Sequence, residues 1–256
     1  MQYVRGKDTV GMNGDAMRTD RYLDAPVEQN YTNRGSGAGI GGRWERDWND
    51  ANRTRVSVRH NRVGFLVPNE RLQEEAGQRQ DRSSTETSGQ ISYTHLFSPH
   101  LLFDVRALGR DVTAAFWSNP LATPIAPSQR RGFREGYSSA SLSAHLGAHE
   151  LKAGGEALFR SIEEQFAYRI VEYRLNGIRI FDRDLPRTFQ FAGRQQNREQ
   201  GAYLQDRVRW RSLTLGVGVR WDHYRLIVDE QAISPRVAAS WPSAEATRIT
   251  LKTSTR

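Results

Sequence analysis

Apolar and polar residues alternate one for one over long stretches of this chain. In 213–222, Leu213, Leu215, Val217, Val219 and Trp221 fall on one side, opposed by Thr214, Gly216, Gly218, Arg220 and Asp222. In 233–241, Ile233, Pro235, Val237, Ala239 and Trp241 share one side, with Ser234, Arg236 and Ser240 on the other. The same phase runs through Leu101, Phe103, Val105 and Ala107, through Ala140, Leu142, Ala144 and Leu146, and through Leu151, Ala153, Ala157 and Phe159. A period of two marks strands whose faces meet different surroundings. It predicts strands at 35–46, 52–60, 87–97, 101–112, 134–146, 150–162, 198–210, 213–225, 233–241 and 247–255. No stretch holds a helical period. Many of these strands exceed the usual mode of about 5–6 residues and match the roughly 9–11 residues that a tilted strand needs to cross a bilayer.

The connections sort by length. Short turns are predicted at 47–51, 98–100, 147–149, 211–212 and 242–246, with longer segments at 61–86, 113–133 and 163–197 between them. Transmembrane barrels have short turns at one end of every hairpin and long loops at the other, whereas a soluble sandwich has no reason to sort them. Trp44, Trp48, Phe97, Trp210 and Trp241 lie within a few residues of the short turns, where an interfacial aromatic belt belongs. Asp206 resists the scheme: it is in phase with Leu204, Val208 and Trp210, and would face lipid unless a bulge shifts the register. The predicted fold class is therefore all-β, an antiparallel up-and-down transmembrane β-barrel, partial and open, with about ten strands of a larger barrel in one domain spanning 1–256.

Composition is compatible with this picture. Mean hydropathy is −0.70 and hydrophobic residues make up 37% of the 256. No apolar run approaches the roughly 18 residues of a membrane helix, so any crossing must be made by strands. A barrel tolerates such polarity because only alternate residues meet lipid. The formal charge of +8 comes from 37 Lys+Arg against 29 Asp+Glu. These arginines are scattered along the chain with no basic arm or helix, so nucleic acid is not an expected partner. Absence of cysteine removes disulfides, thiol catalysis and cysteine-bound zinc. The first residues, Met1 to Lys7, show no secretory signal, and the start of the sequence is expected to lie inside a longer protein.

No motif carries convincing chemistry. Gly37-Ala38-Gly39-Ile40-Gly41-Gly42 matches a dinucleotide fingerprint literally but continues into Arg43-Trp44-Glu45, a strand pattern where a helix is required. Its glycines read instead as one face of a barrel strand. His145 and His149, followed by Glu150, are four apart but flank a tight turn, and spacing suggests no third metal ligand. His60, His95, His100 and His223 are isolated. Glu74-Glu75 and Glu163-Glu164 read as solvated pairs in long polar loops. No catalytic residue, cofactor site or metal site is expected, and the protein is not expected to be an enzyme.

Several segments resemble the barrels of TonB-dependent receptors. Gly201-Ala202-Tyr203-Leu204-Gln205-Asp206, then Gly218-Val219-Arg220-Trp221-Asp222, then Ser234-Pro235-Arg236-Val237 and Thr250-Leu251-Lys252 are similar, in order and spacing, to recurring strands of that family. Phe65-Leu66-Val67-Pro68-Asn69, Ala76-Gly77-Gln78-Arg79 and Arg131-Gly132-Phe133-Arg134-Glu135-Gly136-Tyr137 resemble the Oar-like receptors with a carboxypeptidase-regulatory-like domain. The resemblance implies residence in the bacterial outer membrane and energised uptake of an unidentified ligand, with outer-membrane lipid as partner. It further implies a plug domain that contacts TonB and a barrel of 22 strands. Neither a plug nor that many strands is present in the sequence, so an interior fragment of the barrel, inactive alone, is expected. A passive porin or adhesin-like barrel and a soluble all-β binding protein are the alternatives, since alternation alone does not say whether the apolar face meets lipid or a packed core.

Overall fold

A computed structural model describes residues 1–29, 31–171, 174–179, 187–241 and 249–254. The elements in chain order are β1 (Gln2–Arg5), β2 (Asp8–Thr19), β3 (Gly35–Asn49), β4 (Asn52–Leu66), α1 (Arg71–Glu75), β5 (Gln80–Ser98), β6 (Leu101–Ser118), β7 (Ile125–Leu146) and β8 (His149–Ile170). They continue with β9 (Arg174–Leu175), β10 (Ile178–Arg179), β11 (Thr188–Trp210), β12 (Leu213–Arg225), β13 (Asp229–Trp241) and β14 (Ile249–Ser254). Twelve strands form one sheet in which each pairs antiparallel with its neighbour in the chain, while β9 and β10 form a separate hairpin between β8 and β11. Among the described residues no strand pairs with the free edge of β1 or of β14. All ten predicted strands are present and the predicted consecutive-hairpin pairing is found.

Two parts of the sequence reading are corrected. Residues 2–19 form β1 and β2, which the alternation did not predict, because glycine and alanine at Gly14 and Ala16 dilute the apolar side. Several strands also run much farther than expected: β7 begins at Ile125, β8 ends at Ile170 and β11 begins at Thr188. Glu163 and Glu164 therefore sit in strand β8 and not in a loop, and as consecutive residues they project to opposite faces. The extra length lies beyond the apolar band, where the convex positions turn polar and the apolar residues of β8 and β11, Phe166, Tyr168, Phe189 and Phe191, stand in the opposite phase, so the alternation does not continue in register.

The expected sorting of connections holds at strand level. Two-residue turns at 6–7, 50–51, 99–100, 147–148 and 211–212 lie at one end. At the other end the connections are 20–34, 67–79, 119–124, 171–187 and 226–228. The last of these is short too, so among the described connections one end is tight throughout while the other varies. The turn predicted at 242–246 lies outside the described residues.

The pairing runs in phase across the sheet, with register shifts only near Asp47/Asn49 and Leu96/Ser98. One face thus carries Leu215, Val217 and Val219, 39%, 49% and 44% exposed, as expected from the alternation, with Gly216, Gly218 and Arg220 on the opposite, more crowded face. Crowding of alternate side chains identifies the polar face as concave. Among the described residues Ala122 is the only fully buried apolar one. A soluble domain of this length would bury a core of large side chains. Here the apolar surface stays outward, which sets aside the soluble sandwich reading.

Candidate ligand-facing wall

The concave face is built from ion pairs that link strands distant in sequence. Glu135 of β7 sits between Arg110 of β6 at 2.9 Å and Arg160 of β8 at 2.7 Å, and its side chain is only 6% exposed. Both guanidinium groups also lie over the ring of Phe133, at 4.9 and 5.5 Å from its centroid. Guanidinium groups that stack on a ring while meeting a carboxylate, Arg160 with both Nε and Nη2 on one oxygen, suit arginine and not lysine.

A second cluster lies closer to the tight turns. Arg220 of β12 donates to Glu156 of β8 at 2.5 Å and to both carboxylate oxygens of Asp222 at 2.9 and 3.0 Å. The Tyr137 hydroxyl of β7 donates to the other oxygen of Glu156 at 2.8 Å. Register explains why the bridge spans three strands: Glu156, Gly201 and Asp222 form one row, and Gly201 has no side chain to block the crossing. A Cβ on Gly201 would stand 2.9 Å from the Arg220 guanidinium and 3.1 Å from Asp222.

Toward the variable loops the same face becomes aromatic. Phe166 pairs with Phe191 and Tyr168 with Phe189 across β8 and β11. Tyr168 stacks on Phe189 at 5.5 Å, and Phe166 lies 6.2 Å from Phe189. Phe189 and Phe191 are 42% and 49% exposed, leaving ring surface free on the concave side. Exposed stacked rings above a charged wall can hold a flat or apolar moiety while arginines meet its anionic groups.

The residues weighed from sequence are dispersed. The glycine run is part of β3 with no helix after it, and its alternate glycines let neighbouring side chains lie flat: a Cβ on Gly39 would come within 2.7 Å of Asn61 and 2.8 Å of Asp15. His145 pairs across the hairpin with Glu150, whereas His149 is in the opposite phase, so the two histidines face different sides of the sheet. His149 instead contacts Asp206 at 2.7 Å, and no bulge moves Asp206 off the apolar face, where it stands opposite Leu151 and Val217. His60 meets Thr87, His95 meets Asn52 and His223 meets Asp229. Glu163 contacts Arg194, Glu164 contacts Gln129, and Glu74 and Glu75 belong to α1. Arg110, Glu135, Glu156, Arg160 and Arg220, which form the wall, were not distinguishable from other polar-face positions, because their cross-strand partners lie 19 or more residues away and only register brings them together.

The belt residues stand where expected. Trp44 donates to Asp8 at 3.0 Å and Trp48 to Thr54 at 2.8 Å, while Trp210, beside the turn at 211–212, and Trp241, at the same end of the sheet, remain 65% and 47% exposed on the apolar face.

A sheet of consecutive hairpins, apolar on its convex face, ion-paired on its concave face and tightly turned at one end, is the wall of an outer-membrane-type β-barrel. The family model described as TonB dependent receptor-like, beta-barrel, matches residues 8–255, and the chain belongs to that family. No curated protein matches it by sequence. Among solved structures it is similar to the ferripyoverdine receptor of the outer membrane of Pseudomonas aeruginosa, with TM-score 0.71 and 13% identity over 96% of this chain and 38% of that one. It is also similar to the ferric citrate transporter FecA, with TM-score 0.70 and 11% identity over 97% of this chain and 39% of that one. The siderophore receptor PiuA from Acinetobacter baumannii aligns with TM-score 0.61 and 9% identity over 93% and 43% of the two chains. At these identities the likeness is one of fold. The chain spans about two fifths of the length of these receptors. Members of the family are outer-membrane transporters and not enzymes.

Proposed function

We propose that this chain, as a single domain over 1–256, forms part of the wall of an outer-membrane receptor that takes up a scarce ligand with energy delivered through TonB. The observation that carries the reading is the division of the sheet: Leu215, Val217 and Val219 are exposed on the convex face with nothing among the described residues to cover them, while Arg110, Glu135 and Arg160, and separately Glu156 and Arg220, are ion-paired on the concave one. In an outer membrane the first face meets lipid and the second meets the interior of a closed barrel, where a plug domain that contacts TonB would stand. The neighbouring solved receptors carry ferripyoverdine, ferric citrate and siderophores by their names. By extension the ligand here is a compact metal chelate, met by the ring surface of Phe189 and Phe191. The segments at 65–69, 76–79 and 131–137 support placement in the Oar-like group, which the gene upstream of this segment would test through its regulatory-like domain.

Because the chain contains no cysteine, single cysteines can be placed and spin-labelled without background. Labels at Val217 and Val219 in refolded, lipid-reconstituted protein are expected to be quenched by oxygen dissolved in the bilayer, and labels at Gly216 and Gly218 by a water-soluble nickel chelate. Equal aqueous quenching at all four positions would overturn the membrane reading.

A further inference from the structure

We propose that Arg198 and Arg225 form a binding site on the convex face for the phosphate of an outer-leaflet lipid headgroup. The proposal rests on the membrane reading above and adds a specific lipid contact to it. Arg198 of β11 and Arg225 of β12 are direct cross-strand partners. They share the phase of Leu204, Val217 and Val219, so both project from the apolar face. Two like charges directly opposite on a sheet repel, an arrangement that ordinary cross-strand pairing avoids. Other arginines on this face are matched by an acid across the strand: Arg134 meets Asp111 at 2.8 Å and Arg194 meets Glu163 at 3.3 Å. The Arg198 side chain has no hydrogen bond or ion pair among the described residues. Arg225 stands directly across from Asp229 of β13 and meets it at 3.6 Å, but that carboxylate is also held at 2.7 Å by His223, so a single acid serves the arginine pair and a histidine.

The position fixes the kind of anion. On β12 the apolar phase runs from Leu213 to Trp221, nine residues that match the roughly 9–11 needed to cross the hydrocarbon. Arg225 stands four residues beyond, at the end away from the tight turns, which is headgroup level. Phe159, 49% exposed, lies directly opposite Arg198 on the other side, in reach of acyl chains. The connection after Arg225 is Leu226-Ile227-Val228, and Ile227 is 89% exposed. An apolar tip and an exposed ring flanking an arginine pair with one shared acid suit an amphiphile with an anionic head. A phosphate bridging both guanidinium groups makes charge-assisted hydrogen bonds and removes the repulsion.

The test uses the full chain refolded in maltoside micelles, which contain no phosphate, with phosphatidic acid, diacylglycerol of the same acyl chains, and inorganic phosphate as probes. Native mass spectrometry and 31P chemical-shift titration read binding. Phosphatidic acid should be retained in preference to diacylglycerol, and Arg198→Gln with Arg225→Gln should weaken its retention by about tenfold, as expected for the loss of charged hydrogen bonds. Arg71→Gln in α1 should leave it unchanged. Equal retention of phosphatidic acid by the double variant overturns the site. Equal binding of inorganic phosphate would make it a site for a free anion, and equal retention of diacylglycerol would reduce it to an apolar surface; either result also overturns the proposal. Should the double variant not refold, raised thermal stability of the unaltered chain with phosphatidic acid but not diacylglycerol carries the same test. Spin-label quenching at Val217 and Val219 reports the membrane reading independently, so the two can fail separately.

Discussion

Arg220 illustrates how single side chains hold this wall. Replacing it with glutamine leaves Glu156 and Asp222 without their shared cation, and the expected cost is about 1–2 kcal/mol in urea unfolding, the low part of the range for charged hydrogen bonds because the Arg220 and Glu156 side chains are 25% and 34% exposed. Gly201→Ala should reproduce part of that loss by displacing the guanidinium. The two changes together should therefore cost less than their sum, a coupling that a double-mutant cycle measures; strict additivity would mean that Gly201 does not serve the bridge. Asp206 gives the opposite lesson. Its carboxylate is satisfied only by His149, so His149→Ala should destabilise by roughly 1–3 kcal/mol, whereas Asp206→Leu combined with His149→Leu should be neutral or stabilising on an apolar face. Destabilisation by the double change equal to that of the single one would contradict the assignment of this pair to lipid.

Strands here are much longer than the band that needs them. On β8 the convex positions Leu151, Ala153, Gly155, Ala157 and Phe159 are small or apolar, and then Ser161 and Glu163 follow in the same phase. The hydrocarbon therefore ends near Phe159, and the upper part of the strand stands in water on both sides. Arginine at Leu142, inside the band and opposite Phe103 and Ala153, should cost about 2–4 kcal/mol, while arginine at Gln196, in the convex phase of β11 but above Arg198, should change stability by less than about 0.5 kcal/mol. Guanidinium unfolding of both variants in micelles makes the comparison, and similar costs at the two sites would move the boundary.

The sheet as a whole has two free edges among its described residues, at β1 and β14. Each presents N–H and C=O groups that hydrocarbon cannot satisfy, at several kcal/mol apiece. Expressed without further strands, the chain is expected to associate through these edges. Light scattering after size exclusion in detergent should give multiples of 29.2 kDa; a stable monomer would require an edge-to-edge closure that the topology does not contain. This also bears on transport, since an open wall has no enclosed interior across which a ligand could be moved.

Within the apolar band, the sequence alone determined the strands from Gly35 onward, their facing and the tight turns at 50–51, 99–100, 147–148 and 211–212. Lipid on one side and water on the other force a period of two, and two-residue turns leave the register little freedom. The TonB-dependent receptor resemblance was likewise carried by local segments such as 218–222 and 234–237. Tertiary structure decided the rest. The strand lengths beyond the band were hidden because the apolar phase there passes to the concave face, as at Phe166, Tyr168, Phe189 and Phe191, and β2 because glycine and alanine weakened its apolar side. The Arg110–Glu135–Arg160 and Glu156–Arg220 contacts, and the arginine pair at 198 and 225, are properties of cross-strand register. Their partners are joined by hydrogen-bond ladders between residues far apart in the chain, a relation that no local pattern of residue types encodes.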